Sequence, residues 1–210
     1  HPRNTLAGLV DDVPVDIDIV RGHYQSHSSG VEVLAAPSDL DELVELSGER
    51  WATILDLAQD ISPIVIVDTS ATTDAALLET LVVATDIVVV MNPEIASLRS
   101  TTALVNSLYT EADVAGTVHV VLNRAGVSGG LDEGTIRKQL GHDLAATLPD
   151  DPSLTTYAMN RGVPFVTSHA RTLLSRRVVG LAKQILTGQH NEIVEKKSVR
   201  SLLPFLGALR

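Results

Sequence analysis

The sequence of 210 residues contains no cysteine, which excludes disulfide bonds, cysteine-ligated zinc and thiol catalysis within it. Aromatic residues make up 3% of the chain and hydrophobic residues 44%, so the core must be mainly aliphatic. No apolar run reaches the roughly 18 to 20 residues of a membrane span, and we expect a cytoplasmic protein. Basic residues are outnumbered, 16 against 26 acidic ones, which gives a net charge of −10. Broad nucleic-acid binding is therefore not expected, because phosphate neutralisation needs clustered cations.

Lysine is scarce, and its four positions all lie in the second half of the chain: Lys138, Lys183, Lys196 and Lys197. None of them follows a glycine. A phosphate-binding P-loop needs a glycine-rich turn followed by Lys and then Ser or Thr, so the printed sequence holds no such loop. The glycine-rich stretch GVSGG at 126–130 lacks that lysine and predicts a surface loop.

The sequence does contain an alternation of short aliphatic runs and helical patterns. The runs predict strands at 31–35, 64–68, 86–91, 118–123 and 144–148. The spacing of apolar residues predicts helices at 51–58, 73–83, 98–109, 133–140, 153–160 and 171–186. Strands that alternate with helices favour an α/β fold, with a doubly wound, mostly parallel sheet and helices on both faces. We take 1–187 as one domain and 188–210 as a linker and tail.

One of these runs, in the stretch IVIVDTSATTD that begins at Ile64, ends in an acid. An unbroken Ile and Val run is typical of a strand that is covered on both faces. Asp68 would then stand at the carboxyl end of that strand. Ligands bind at this edge of open α/β sheets, and a carboxylate there commonly faces a metal ion or a phosphate-bound water. The alternative is a solvated acid at a strand end.

Five segments stand in one order along the chain: IVIVDTSATTD, DIVVVMNPEIASLRSTTALVNSL, HVVLNRAGVSGG, LPDDPSLTTYAMNRGVPFV and LLSRRVVGLAKQIL. Together they resemble the MinD/ParA group of P-loop ATPases. Within that group they look most like the CpaE/TadZ branch associated with pilus assembly, in which HPRNTLAGLVDD and SGVEVLAAPSD also have counterparts. The resemblance runs from His1 to about Leu186. It implies a P-loop NTPase-like fold, ATP and Mg²⁺ as ligands, and a homodimer.

By this resemblance, Asp68 matches the acid that helps to hold Mg²⁺ through water and to organise hydrolysis. An oxygen ligand of this kind suits a hard cation. Many relatives carry Pro and Gly just after the acid, and DTSATTD has neither. Asn92 and Pro93 resemble the NPE segment of the family, but we interpret them as a structural turn and helix entry.

The same resemblance assigns the adenine and ribose side of the site. Asn123 and Arg124 match an Asn-Arg pair whose amide reads the adenine edge, and Asn offers the donor and the acceptor that adenine requires. Without the resemblance, Asn123 would be a turn residue at a strand end. Pro149, Asp150 and Asp151 match the loop near the adenine and ribose, where backbone groups do much of the binding. An ordinary Pro-Asp turn is the alternative for these three residues.

The missing P-loop leaves two hypotheses open. In the family that loop would precede the segment that starts at His1, so either the sequence is a piece of a longer chain or the protein has lost the loop. In the first case we expect an ATP-dependent dimerising switch for localisation or assembly, with slow ATP hydrolysis. In the second case we expect a non-catalytic interaction module that binds pilus or secretion machinery. The 210-residue chain alone should bind little ATP and hydrolyse none.

The tail, KKSVRSLLPFLGALR at 196–210, carries a separate signal. Its leucines recur at helical spacing beside four basic residues, although Pro204 interrupts the pattern. This predicts either an amphipathic segment for the anionic inner face of a membrane or a tail packed on its own domain or on a partner subunit.

Overall fold

The computed structural model describes residues 4–10, 14–37, 46–69, 75–110, 114 and 116–188. The chain divides into two compact units, His1–Leu81 and Val82–Arg210. The predicted tail at 196–210 lies outside the described residues, as does the stretch at 70–74 that follows Asp68. Among the described helices, none combines the length and the apolar character needed to cross a membrane.

The first unit is built from short elements around a small aliphatic core. Leu9, Val20 and Ile54 are almost fully buried and form that core, to which α1 (Ile17–His23) and α2 (Gly48–Ile61) contribute. The indole N–H of Trp51 in α2 donates a hydrogen bond at 2.9 Å to Oγ1 of Thr80, which lies in α3 (Ala75–Val83). The elements in chain order are a 3-10 helix (Leu6–Leu9), α1 (Ile17–His23), β1 (Gln25–Ser26), β2 (Glu32–Val33), α2 (Gly48–Ile61) and α3 (Ala75–Val83).

The prediction of a buried strand at 64–68 is wrong. Residues 64–69 are not in a strand, and the exposed fractions of Ile64 and Ile66 are 57% and 88%. The strand predicted at 31–35 is reduced to β2, which pairs antiparallel with β1, and Val31 and Val33 are exposed. A strand needs a neighbour for its backbone N–H and C=O groups, and in the described part of this unit only β1 and β2 pair.

The second unit contains a three-stranded parallel sheet. Strands β3 (Asp86–Met91), β4 (Thr117–Ala125) and β5 (Leu144–Pro149) stand in the order β3-β4-β5. Successive residues Val120, Val121 and Leu122 of the central strand are at most 2% exposed. Since neighbouring side chains of a strand point to opposite faces, β4 is covered on both faces, as its Val-rich sequence predicts.

Strand β3 is covered on one face only. Val89 and Met91 are buried, with exposed fractions of 9% and 1%, whereas the exposed fractions of Val88 and Val90 are 42% and 59%. Among the described residues β3 pairs only with β4, so it is an edge strand. The prediction of a buried strand at 86–91 is therefore right in its bounds and half right in its burial.

Helices flank the sheet, and most of them begin at a side-chain cap. Helix α4 (Ile95–Thr110) packs on β3 and on α5 (Glu133–Leu140), and α8 (Leu173–Thr187) packs on β5. Asp132 caps α5, and hydrogen bonds from Thr135, first from its side chain and then from its backbone, hold the pKa of Asp132 below its usual value. The predicted α/β fold with a parallel sheet flanked by helices is confirmed. The helices of this unit are α4 (Ile95–Thr110), α5 (Glu133–Leu140), α6 (Pro152–Arg161), α7 (Phe165–Ser168) and α8 (Leu173–Thr187).

Candidate functional site

Polar residues collect where the three parallel strands end. Asn92 follows the last residue of β3, Asn123 and Arg124 lie near the end of β4, and Asp150 follows β5. Because parallel strands end at one edge of the sheet, residues that are far apart in sequence meet there. This edge is the part of the second unit that we consider as a binding site.

The side chains of Asn123 and Asn92 contact each other at this edge. Asn123 Nδ2 donates to Asn92 Oδ1 at 3.4 Å, and both residues are half-buried. Ser97 Oγ in turn accepts a hydrogen bond from the backbone N–H of Asn92 at 3.0 Å. The Asn123 amide therefore retains its carbonyl oxygen and one N–H for another partner. Our sequence interpretation gave Asn92 only a structural role and missed this contact.

Arg124 and Asp150 join the ends of β4 and β5. Arg124 Nε donates to Asp150 Oδ1 at 3.1 Å, with the two side chains 50% and 21% exposed. Arg124 has a positive φ of 52°, which is uncommon for a residue with a side chain. The backbone N–H of Asp150 donates to the carbonyl oxygen of Ala125 at 3.0 Å, and Ala125 pairs with Pro149. The structure thus brings together the residues predicted at 123–124 and 149–150.

Asp151 is the N-cap residue of α6. Its Oδ1 accepts the backbone N–H of Leu154 at 3.0 Å, so the carboxylate caps α6, and Pro152 supplies the first helical residue. One carboxylate oxygen of Asp151 is therefore occupied by the helix. Pro149 ends β5 and Asp151 caps α6, so these residues connect the strand to the helix at the edge of the sheet where Asn123 lies.

The glycine-rich loop after β4 is fastened to the turn after β3. The backbone N–H of Leu131 donates to the carbonyl oxygen of Pro93 at 2.8 Å. A side chain at Gly130 would come within 3.0 Å of Pro93, so only glycine fits there without a shift of the loop. Gly126 and Gly129 have positive φ, which glycine adopts without strain. Pro93 therefore helps to hold the loop that starts beside Arg124.

Asp68 belongs to the first unit and is exposed, in the stretch that forms no strand. Within the described residues, no group of three or more His, Cys, Asp or Glu side chains could hold a metal ion. The edge formed by Asn92, Asn123, Arg124 and Asp150 offers amide groups, a paired guanidinium and exposed backbone. Such groups can recognise the hydrogen-bonding edge of a planar nucleobase. They include no nucleophilic side chain paired with a general base.

No family model and no curated protein sequence matches the chain. Among solved structures, it is similar to a ParA family ATPase from Chlorobium tepidum TLS, with a TM-score of 0.75 and 20% identity over 88% of this chain and 76% of the other. It is also similar to the septum site-determining protein MinD from Pyrococcus horikoshii OT3, solved with Mg-ADP, with a TM-score of 0.67 and 20% identity over 90% and 81% of the two chains.

A third similar structure is the MinC:MinD cell division protein complex from Aquifex aeolicus, with a TM-score of 0.61 and 19% identity over 92% of this chain and 80% of the other. TM-scores of 0.61 to 0.75 show a shared fold, and sequence identities of 19% to 20% show no more than that. The chain therefore has the α/β fold of the ParA and MinD ATPases.

Proposed function

We propose that this chain is the larger part of a MinD/ParA-type ATPase that acts as a dimerising, ATP-dependent localisation or assembly factor for pilus machinery of the CpaE/TadZ kind. The observation that carries the proposal is the contact between Asn123 and Asn92 at the carboxyl edge of a sheet whose fold is that of MinD. Among the described residues it leaves the Asn123 amide with an acceptor and a donor available at the edge where α/β sheets bind nucleotides.

The residues at this edge fit an adenine nucleotide. The amide of Asn123 would accept from the exocyclic amine of adenine and donate to a ring nitrogen. Arg124 and Asp150 would flank the base, and the backbone at Pro149, Asp150 and Asp151 would line the ribose. Arg124 Nε and Asp150 Oδ1 already lie 3.1 Å apart without a ligand, which supports a preorganised site.

Asp68 is proposed as the water-mediated ligand of Mg²⁺. Mg²⁺ sites commonly use one or two carboxylates together with waters and phosphate oxygens, so a single exposed carboxylate is compatible with this role. When bound, Mg²⁺ would neutralise negative charge on the phosphates. The protein would act mainly by positioning the nucleotide, and a P-loop lysine would have to come from sequence before His1.

The first test is the reading frame upstream of His1. A Gly-Lys-Ser or Gly-Lys-Thr loop after a predicted strand would support the ATPase. A start codon directly before His1, with no such loop, would contradict it and favour the second candidate, a non-catalytic interaction module for pilus or secretion proteins. That candidate would need the loop to be absent from the whole protein, and not only from the printed sequence, in which no lysine follows a glycine.

Calorimetric titration of the longer protein with Mg-ATP and Mg-GTP tests the site residues. Asn123→Ala should weaken ATP binding by about 2- to 13-fold for each of the two hydrogen bonds lost, and should reduce the preference for ATP over GTP. Asp68→Ala should lower the hydrolysis rate more than the affinity, since the adenine contacts persist. Unchanged affinity in Asn123→Ala, or unchanged turnover in Asp68→Ala, would remove that residue from the proposed mechanism.

The proposal also covers assembly and location. We propose a homodimer in the cytoplasm, with residues 196–210 as a peripheral contact to the inner face of the membrane. For the 210-residue chain, which lacks the phosphate loop, any dimer should form without nucleotide. Light scattering with and without Mg-ATP measures this, and a dimer that appears only with nucleotide would contradict it.

A further inference from the structure

Residues 152–188 differ in charge from the rest of this acidic protein. They contain no Asp and no Glu, although the whole chain has a net charge of −10. Their charged side chains are all cationic: Arg161, Arg171, Arg176, Arg177 and Lys183. Positive charge is therefore in excess in this segment, as it is in the tail at 196–210, whereas the rest of the chain is strongly negative.

This segment forms α6, α7 and α8, which contact one another in that order. All five cationic residues are exposed, and no ion pair involves them within the described part of the chain. By contrast, Arg124 and Arg137 of the same unit are paired with Asp150 and Glu133. We call the five residues the cationic surface.

Exposed apolar side chains accompany the cationic surface along α8. Arg176, Val179, Lys183 and Leu186 follow one another at steps of three, four and three residues, which places them on one side of the helix. Val179 is 41% exposed and Leu186 is 63% exposed, so they are not part of the core. The buried residue Leu174 and the half-buried Val178 and Leu181 form the opposite side of α8.

A second mixed cluster lies on α6 and the turn after α7. The guanidinium of Arg161 stands 5.2 Å from the ring centre of Tyr157, and His169 meets the same ring edge-on. Met159 on the same helix is 81% exposed. The Tyr157 ring thus contacts a cation and an imidazole, and an exposed methionine lies on the same helix. This cluster combines positive charge and apolar surface, as α8 does.

Such a surface restricts the class of partner. Cations alone would suit any phosphate-bearing polymer, but nucleic acid admits apolar side chains only as wedges between base steps and offers no continuous apolar layer to Val179, Leu186 and Met159. The interface of an anionic bilayer accommodates both, with cations among the headgroup phosphates and apolar side chains at the acyl boundary.

We propose that the cationic surface of α6–α8 docks on an anionic lipid bilayer. Arg176 and Lys183 contact lipid phosphates, while Val179 and Leu186 enter the interfacial layer between them. The segment contains no carboxylate that an anionic membrane would repel at the contact, unlike the acidic remainder of the domain. This contact is separate from the tail at 196–210 and does not depend on nucleotide.

Co-sedimentation of the 210-residue chain with vesicles tests the proposal. The chain should bind vesicles of phosphatidylcholine mixed with phosphatidylglycerol and should not bind vesicles of phosphatidylcholine alone. Arg176→Glu combined with Lys183→Glu should weaken this binding by about 25-fold or more, roughly fivefold for each cation removed from the surface. Both positions are exposed, so the circular dichroism spectrum should be unchanged.

A matched control is Arg99→Glu combined with Lys138→Glu, which makes the same change in net charge at exposed helical positions outside the cationic surface. It should reduce binding far less. Equal loss in the control would show that only net charge matters and would overturn the proposal, as would the absence of binding to the phosphatidylglycerol vesicles by the unaltered chain.

Three further arms separate the alternatives. Val179→Ser combined with Leu186→Ser should weaken binding several-fold at a salt concentration that screens the charges, and no effect there would contradict apolar entry. The 210-residue chain with its four tail cations changed to Gln should keep vesicle binding that depends on Arg176 and Lys183. Complete loss of binding in this variant would assign the contact to the tail. Tighter binding to duplex DNA than to vesicles, abolished by the same Arg176 and Lys183 reversal, would mean a nucleic-acid site instead.

Discussion

Val90 and Val121 form a matched pair for measuring how the sheet is covered. They stand opposite each other in the β3–β4 pairing and point to the same face, yet Val121 is 1% exposed and Val90 is 59% exposed. Replacing Val by Ala removes the two γ-methyl groups and leaves a small cavity. Each buried group of this size contributes about 0.8 kcal/mol to the free energy of unfolding. Val121→Ala should therefore lower the free energy of unfolding by about 2 kcal/mol. Val90→Ala, with less than half its surface buried, should lower it by no more than about 0.7 kcal/mol.

Urea unfolding followed by far-ultraviolet circular dichroism measures both variants. With a slope of about 1–3 kcal/mol per molar urea, Val121→Ala should shift the midpoint by roughly 1 M and Val90→Ala by a third of that or less. Fluorescence of Trp51, the only tryptophan in the sequence, reports separately on the first unit. Equal destabilisation by the two substitutions would refute the reasoning, because it would mean that Val90 is covered in solution.

Three smaller predictions concern stability in the two units. Trp51→Phe removes the hydrogen bond to Thr80 and should cost about 0.5–1.5 kcal/mol in unfolding measurements, and a neutral result would mean that water replaces the bond. Burial first, and then the charge of Glu32, raise the pKa of Tyr24, so the native state holds this proton longer than the unfolded state. Stability from Tyr24 should be full below pH 10 and fall above it, and this fall should be absent in Tyr24→Phe; an identical alkaline profile would contradict the shift. Asp151→Ala removes the cap of α6 and should cost about 1 kcal/mol, whereas Asp151→Asn should cost much less; equal losses would exclude the cap as the cause.

Much of the second unit could be predicted from sequence, because its signals are local. A helix satisfies its own backbone, so apolar spacing and capping residues suffice to predict it, and α5 was predicted at its observed bounds. The β-branched runs of β3 and β4 likewise predicted their bounds to within two residues, and the order of strands and helices indicated the parallel sheet. The positions of Asn123, Asp150 and Pro149 at one edge follow from that topology.

The sequence alone could not decide which of its aliphatic runs would become strands or how deeply each would be buried. IVIV at 64–67 is as apolar as β3, but a strand requires a neighbour, and none of the described residues pairs with it. The exposure of Val90 beside the buried Val121 depends on how many strands and helices surround each one, which no local pattern records. The meeting of Asn92 with Asn123 also required the structure, because it depends on the register of two strands that lie about thirty residues apart in sequence.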